Sequence, residues 1–369
     1  VTINQVQVQK LLDRARREVD SGLLPSAQIA LGYEGELVAF ETFGDANNET
    51  RYVVYSATKA FVAGAMWMLI GDGLVDPSKL VIDYVPEFGT NGKEVITVEQ
   101  VMLHTSGFPS APLSAVQGDT SAGRCKAFAS WRLNWQPGTR FEYHPTSAHW
   151  VLAEIIERVT GSDYRDVVQQ RVTDPAGLDH RVLGDVEFPA AELIVVGEQA
   201  SPDELEAALG IRELPVTEVT TEALMGFNDP ASQRVGVPGG GGVMRAADLA
   251  LYYQAVLHNP GDMWNASVLN DAKTNVRNHF PDLLTGAPAN RTLGLIQAGG
   301  DDKSNYRGMG RTVSEFAVGH NGAKGQIAWG DPVSGLSLGF CTNGLDENIL
   351  RESRRTTAIA SLAGLCNTD

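Results

Sequence analysis

A chain of 369 residues that is 43% hydrophobic and 20% charged can bury a sizeable core, as one large domain or two smaller ones. Its formal net charge of -16 works against nucleic acid or an anionic membrane as partner, because both reward a basic surface. Cys125, Cys341 and Cys366 are widely spaced and form neither a disulfide framework nor a Cys-x-x-Cys pair; they are expected to be buried or incidental thiols. No N-terminal stretch combines a charged start with an apolar run, and no run has bilayer length, so the expected location by default is cytoplasmic.

Residues 4–21 read as a surface helix. Val8, Leu11, Leu12, Ala15 and Val19 fall at helical spacing, with Lys10, Arg14 and Arg17 between them, and Gly22 stops the run. Residues 28–31 and 37–40 flank Tyr33-Glu34-Gly35-Glu36 as a hairpin. Ser56 opens a helix apolar nearly all round, closed by Gly71 and Gly73, and such a helix belongs inside the protein. Residues 77–234 look mainly helical with long loops. Within them lie a short helix over 97–104 and a better one over 147–160, where Glu154 and Arg158 form an i,i+4 pair assigned to the exposed side. Residues 185–237 and the loop 109–124 resist assignment and are expected to shape a pocket. Gly239-Gly240-Gly241-Gly242 leads into a helix over 246–257; no Lys-Ser/Thr follows, so a permissive helix entry is expected rather than a phosphate cradle. Residues 293–297, 326–329 and 336–341 read as strands, the last two joined by a hairpin loop over 331–335, and a helix over 347–363 closes the chain.

Strands at both ends with helices between predict an α+β fold. An antiparallel sheet flanked by helices would be built from residues 1–76 and 235–369, with a mostly helical insert over 77–234.

The candidate chemistry starts at Ser56 and Lys59. Residues three apart on a helix share a face, so the amine and the hydroxyl can meet without help from the rest of the fold. No other serine of the chain has Lys at that spacing. At a helix N-terminus, unpaired N–H groups and the helix dipole also favour developing negative charge.

Tyr55-Ser56-Ala57-Thr58-Lys59, then His104-Thr105-Ser106-Gly107, then Tyr143-His144-Pro145, then His320-Asn321-Gly322-Ala323 occur in this order. Together they resemble the serine β-lactamase-like superfamily: class C β-lactamases, penicillin-binding proteins and, closest in type, family VIII carboxylesterases. The resemblance spans nearly the whole chain and implies a β-lactamase-like fold. It implies that Ser56 is the nucleophile, that Lys59 shares or relays its proton, and that Tyr143 is general base and then general acid. It places His320-Asn321-Gly322 on the family's Lys-Thr-Gly strand, with His320 among the catalytic candidates and Asn321 and Gly322 against substrate. Backbone N–H groups of Ser56 and Ala323 would form the oxyanion hole. Unperturbed Tyr and Lys titrate near ~10, but burial lowers a lysine and a nearby cation lowers a tyrosine, so the pair can supply a base without a His-Asp dyad.

Two departures matter. Pro145 replaces an Asn, removing an amide that would hold a substrate carbonyl. His320 replaces a Lys, removing a permanent charge that would grip a carboxylate. Both turn the expectation from β-lactams and peptides towards small or medium acyl esters. A β-lactamase, D-amino-acid peptidase or acyltransferase of the same chemistry is the second reading, and a silent penicillin-binding-like protein the third. The plainer alternatives are a structural Lys59, a core Tyr143 and a satisfied strand histidine at 320. His104 and Ser106 are expected to shape a loop, His144 to point elsewhere, and Lys324 to be an exposed surface lysine. The seven histidines lack His-Glu-x-x-His spacing, and no Gly-x-Ser-x-Gly elbow occurs. Nothing calls for a cofactor or metal, and the expected partner is a small ester or amide. Oligomeric state is not encoded in any pattern found.

Overall fold

The computed structural model describes residues 2–184, 189–214 and 219–368. Six strands form one antiparallel sheet in the spatial order Glu36–Gly44, Ser26–Tyr33, Ser337–Thr342, Ile327–Gly330, Val318–Gly319 and Ile296–Gln297. Ser26–Tyr33 and Glu36–Gly44 are the expected hairpin, and Phe340 pairs with both Ile29 and Ile327 at the centre of the sheet.

Alternation along the strands decides what covers each face. Ala27, Ile29, Leu31, Ile327, Trp329, Leu338 and Phe340 share a cluster with Val8, Leu11, Ile359 and Ala360 of the two terminal helices, Gln5–Asp20 and Ile349–Ala363. Ala30, Ala328 and Cys341 join the larger core on the other face, with the helices Ala246–His258 and Thr58–Gly71. The terminal helices are locked by Arg355, whose Nε donates to Glu18 at 2.6 Å and whose Nη2 donates to Asp346 at 2.7 Å.

The N-terminal helix is capped by Asn4, whose side chain accepts from the backbone N–H groups of Val6 and Gln7. The Thr58–Gly71 helix is buried from Thr58 through Leu69, as an all-apolar helix must be. It begins two residues later than predicted. Tyr55 has φ 45°, outside the helical region, so Ser56 and Ala57 lie in a tight turn ahead of the helix.

The helix Ser147–Thr160 matches its predicted bounds, but one detail is corrected. Glu154 is fully buried, not exposed, and takes hydrogen bonds from Arg124, Ser121 and Arg158. Only Ile296–Gln297 of the predicted strand 293–297 is extended, because Gly294 turns the chain at φ 101°. In the segment 185–237, residues 185–188 and 215–218 lie outside the described residues. The remainder holds a strand Ile194–Val196, parallel to Gly344–Asp346, and the short helices Pro202–Leu209, Thr221–Met225 and Pro230–Val235. Cys341 and Cys366 are buried and Cys125 is half-buried, all as free thiols. Among the described residues no helix is long and apolar enough to cross a membrane.

Candidate active site

A short strand, a strained turn and a buried helix present Ser56. The strand Tyr52–Val53 pairs with Val243–Met244, and the backbone N–H of Val54 donates to Gly242 O at 2.9 Å. The Tyr55 carbonyl then accepts both the Thr58 backbone N–H, at 3.0 Å, and the Thr58 hydroxyl, at 2.6 Å. Thr58 Oγ1 in turn accepts the Gly242 N–H at 2.9 Å, clamping the turn against the glycine run. That run is therefore the wall behind the serine: a Cβ at Gly239 would lie 2.9 Å from Pro145 O. It is not merely a permissive entry to the next helix.

Two groups converge on Ser56 Oγ. Lys59 Nζ lies 3.1 Å away and the Tyr143 hydroxyl 2.8 Å away. Lys59 Nζ also donates to the carbonyl of Pro145 at 2.6 Å and to that of Gly239. Pro145 thus contributes its backbone where the sequence comparison noted only a missing amide. The structure brings the predicted Ser56, Lys59 and Tyr143 together.

Buried histidines hold Tyr143 in place. The His104 ring lies 4.8 Å from the Tyr143 ring, and His104 Nδ1 accepts the His144 backbone N–H at 3.1 Å. The His144 Nδ1–H donates to Glu142 O at 2.6 Å, while its Nε2 accepts the Phe108 N–H at 3.2 Å and lies 3.1 Å from Ser106 Oγ. The segment 104–108 is thus a brace for the tyrosine, in line with the loop-shaping role expected of His104 and Ser106.

His320 and its neighbours form the opposite side. The His320 Nδ1–H donates to Asn321 O at 3.0 Å, and Nε2 accepts from Arg291 Nη1 at 3.0 Å. Both ring nitrogens are engaged, and the ring sits 6.1 Å from that of Tyr143. The Asn321 side chain, expected against substrate, is instead committed to protein: Nδ2 donates to Gly308 O at 2.8 Å and Oδ1 accepts the Ala328 N–H at 3.0 Å. Gly322 abuts the serine turn so closely that a Cβ there would lie 2.1 Å from Val54 O. Ala323 follows in the turn Ala323–Gly325. Among the described residues, neither the Ser56 nor the Ala323 backbone N–H donates to another protein group. Lys324 is not the exposed lysine expected; it is largely buried, and its Nζ donates to Asp346 O at 2.9 Å.

Two residues of this cluster carry no signal in the sequence reading. Arg291 is 6% exposed and stacks on two rings, 5.4 Å from the Phe141 centroid and 5.3 Å from that of Tyr143. His149, on the Ser147–Thr160 helix, is buried 6.0 Å from His104 with no partner for Nδ1. Both look like ordinary positions in sequence because their neighbours in space are distant in the chain.

Electrostatics follow from burial. Burial, and then the Arg291 charge, push Lys59 well below the ordinary lysine range. Burial pushes Tyr143 up to about 12, against the pull of Arg291 and of the Ser56 hydrogen bond. Burial first, then Arg291, drive His104 and His320 well below 6.5. Burial, with Lys59, His320 and Arg291 adding to it, does the same to His149. His144 is pushed down to about 3, mainly by burial.

Among the described residues one cluster elsewhere has metal-ligand residue types, namely Asp179, His180 and Asp248. Arg245 Nη2 reaches Asp179 at 2.6 Å and Asp248 at 2.9 Å, so a guanidinium takes the place of a cation there.

The model of the family described as Beta-lactamase matches residues 11–363. The chain is 28% identical over 327 residues to the "Esterase/beta-lactamase LipL" of Mycobacterium tuberculosis, covering 79% of this chain and 69% of that protein. It is 23% identical over 332 residues to a "Putative D-alanyl-D-alanine carboxypeptidase" of Escherichia coli, covering 84% and 73%. Among solved structures, a family VIII carboxylesterase superposes with a TM-score of 0.76 at 24% identity, over 98% of this chain and 99% of the other. A penicillin-binding protein homologue from Caulobacter crescentus superposes at 0.75 with 22% identity, again over 98% and 99%. These likenesses carry the fold, and the match of the family model over nearly the whole length carries the membership: the chain belongs to the Beta-lactamase family.

Proposed function

We propose that the protein is a serine hydrolase that forms an acyl-enzyme on Ser56 and acts on esters of small or medium acyl groups. The observation that carries this reading is the convergence of Lys59 Nζ and the Tyr143 hydroxyl on one serine oxygen, at 3.1 and 2.8 Å.

Electrostatics divide the labour. A neutral amine has two N–H donors and one lone pair. The carbonyls of Pro145 and Gly239 take the two donors, which turns the lone pair to the Ser56 hydroxyl. Lys59, held neutral by burial and by Arg291, is therefore the better proton acceptor, and Tyr143, held protonated, the better donor. This exchanges the roles that the family resemblance implies. Ser56 Oγ attacks the ester carbonyl carbon as its proton passes to Lys59. The oxyanion lies against the backbone N–H groups of Ser56 and Ala323. Collapse expels the alkoxide, which takes a proton from the Lys59–Tyr143 pair. Water then attacks the acyl carbon as its proton passes to the same pair; collapse breaks the bond to Ser56 Oγ, which takes that proton back as the acid leaves.

The substrate reading rests on the carboxylate end. At position 320 a neutral imidazole with both nitrogens engaged stands in place of a lysine charge. Likeness to an esterase/β-lactamase and to a family VIII carboxylesterase supports esters. Likeness to a putative D-alanyl-D-alanine carboxypeptidase supports the second reading, an amide-cleaving or acyl-transferring enzyme of the same chemistry.

The test is a panel of short-chain nitrophenyl esters, a chromogenic cephalosporin and D-alanyl peptides, with Ser56→Ala as control. Ester turnover that Ser56→Ala abolishes is expected. Full activity in Ser56→Ala overturns the acyl-enzyme, and faster turnover of the cephalosporin or the peptides moves the assignment to the second reading.

A further inference from the structure

Arg291 presents a physical puzzle. The residue is 6% exposed, and among the described residues no carboxylate lies within ion-pair distance of it. Its Nε is buried with no hydrogen-bond partner. A buried charge without an anion is strongly unfavourable, so a fold that keeps one needs a reason.

Its surroundings supply the reason. Its Cζ lies 5.4 Å from the Phe141 ring centroid and 5.3 Å from that of Tyr143, and Nη1 donates to His320. The titratable groups facing it come from every element around the site: Lys59 from its helix, His104 from the loop after residue 102, Tyr143 from its own segment, and His149 and His320. Among the described residues Asp282 is the acid that acts on Arg291, and its carboxylate accepts from the backbone N–H groups of Leu284 and Thr285. All the other groups are bases or a phenol, and a fixed cation makes each harder to protonate.

We propose that Arg291 is a positioning residue for the reaction at Ser56: its guanidinium is a fixed cation in the cluster, which selects the His320 tautomer and keeps the proton acceptors around Ser56 free of protons. By donating to His320 Nε2 it confines the imidazole proton to Nδ1, where Asn321 O receives it. By repelling a second buried charge it leaves Lys59 as a free amine, and it lies on the Tyr143 face where negative charge on the phenol oxygen is favoured. This deepens, and rests on, the acyl-enzyme reading above.

The test compares wild type, Arg291→Gln and Arg291→Lys. Two rates are followed against pH: kcat/KM for an uncharged nitrophenyl ester, and labelling of Ser56 by a fluorophosphonate. Circular dichroism identifies the folded variants. Removing the cation eases protonation of Lys59 and Tyr143 alike, so the acid limb of both profiles moves to higher pH whichever of the two is the acceptor. In Arg291→Gln the expected shift is about one pH unit or more, read as a loss of about tenfold at pH 7 that is regained at higher pH, with KM little changed. Arg291→Lys keeps a charge but loses the planar contact, and moves the limb the same way by less. An unmoved limb in every folded variant overturns the proposal. A loss confined to KM for an ester bearing a carboxylate also overturns it, since Arg291 would then be a substrate anchor. Wild-type protein that the fluorophosphonate leaves unlabelled overturns the acyl-enzyme reading itself, a failure visible without any Arg291 variant.

Discussion

Lys59 Nζ lies 3.1 Å from Ser56 Oγ, and its other two partners are backbone carbonyls, those of Pro145 and Gly239. The amine is thus aimed by groups that do not titrate. Lys59→Ala removes the proton acceptor and is expected to lower kcat/KM for a nitrophenyl ester by about 10²–10⁴-fold, the usual worth of a general base. Lys59→Arg is expected to be equally inactive, because a guanidinium stays charged and offers no lone pair. Activity in Lys59→Arg above a tenth of wild type would show that the residue serves only as a charge.

The buried histidines make a second prediction, on stability. His104, His149 and His320 sit well below 6.5 when folded, and His144 near 3, chiefly through burial. Their folded values are lowered, so below 6.5 the unfolded chain binds protons that the folded chain refuses. Stability is therefore lost as pH falls through 6.5, before most carboxylates titrate. Each histidine contributes about 1 kcal/mol of loss between pH 7 and 5.5. Urea denaturation at these two values is expected to show a drop of several kcal/mol. An equal midpoint at both would mean that these rings are already protonated or solvated in the fold.

Glycine positions near the serine separate into tight and open. A Cβ at Gly322 would meet Val54 O at 2.1 Å, whereas one at Gly240 would find Tyr55 C at 3.8 Å, an ordinary contact. Gly322→Ala must push the Ala323–Gly325 turn away from the strand that leads to Ser56. It is expected to destabilise the protein by about 1–3 kcal/mol. It is also expected to lower kcat by about tenfold or more through the displaced oxyanion donor. Gly240→Ala is expected to stay within about 1 kcal/mol of wild type in thermal unfolding. Equal effects of the two substitutions would sink the distinction.

What was legible in the sequence had a local origin. Ser56 and Lys59 are one helical turn apart, so their meeting needs no knowledge of the fold. The helices 5–20 and 147–160 were legible from apolar spacing and closing glycines, the body of 58–71 from its apolar run, and the hairpin from its turn residues. Arg291 was not, because its partner His320 lies 29 residues away and the run Asn290-Arg291-Thr292 has no pattern of its own. The glycine run read as a helix entry because its true neighbour, Lys59, is 180 residues distant. The late start of the Ser56 helix was hidden as well: Tyr55 takes a positive φ where it bridges to Gly241, a residue distant in the chain, and a tyrosine in sequence gives no sign of it.

Glu154 was misread for the same reason, and the correction carries the last prediction. An i,i+4 pair with Arg158 suggests an exposed face, but Arg124, 30 residues upstream, brings a second guanidinium to the same carboxylate. Arg124 and Glu154 are both 0% exposed, with Nε and Oε2 2.8 Å apart, and Arg124 Nη1 also donates to Gly118 O at 2.9 Å. The attraction exceeds the loss of hydration only while both members are present. Glu154→Ala leaves the Arg124 Nε without its acceptor and the guanidinium with Glu157 as its remaining carboxylate, and also strips Ser121 and Arg158 of their acceptor. The expected loss is about 3–5 kcal/mol in chemical denaturation. Replacing Arg124 and Glu154 together by methionines removes both charges, so the double variant is expected to be more stable than Glu154→Ala alone. If the double variant is the weaker of the two, the pair contributes net stability of its own rather than mutual neutralisation.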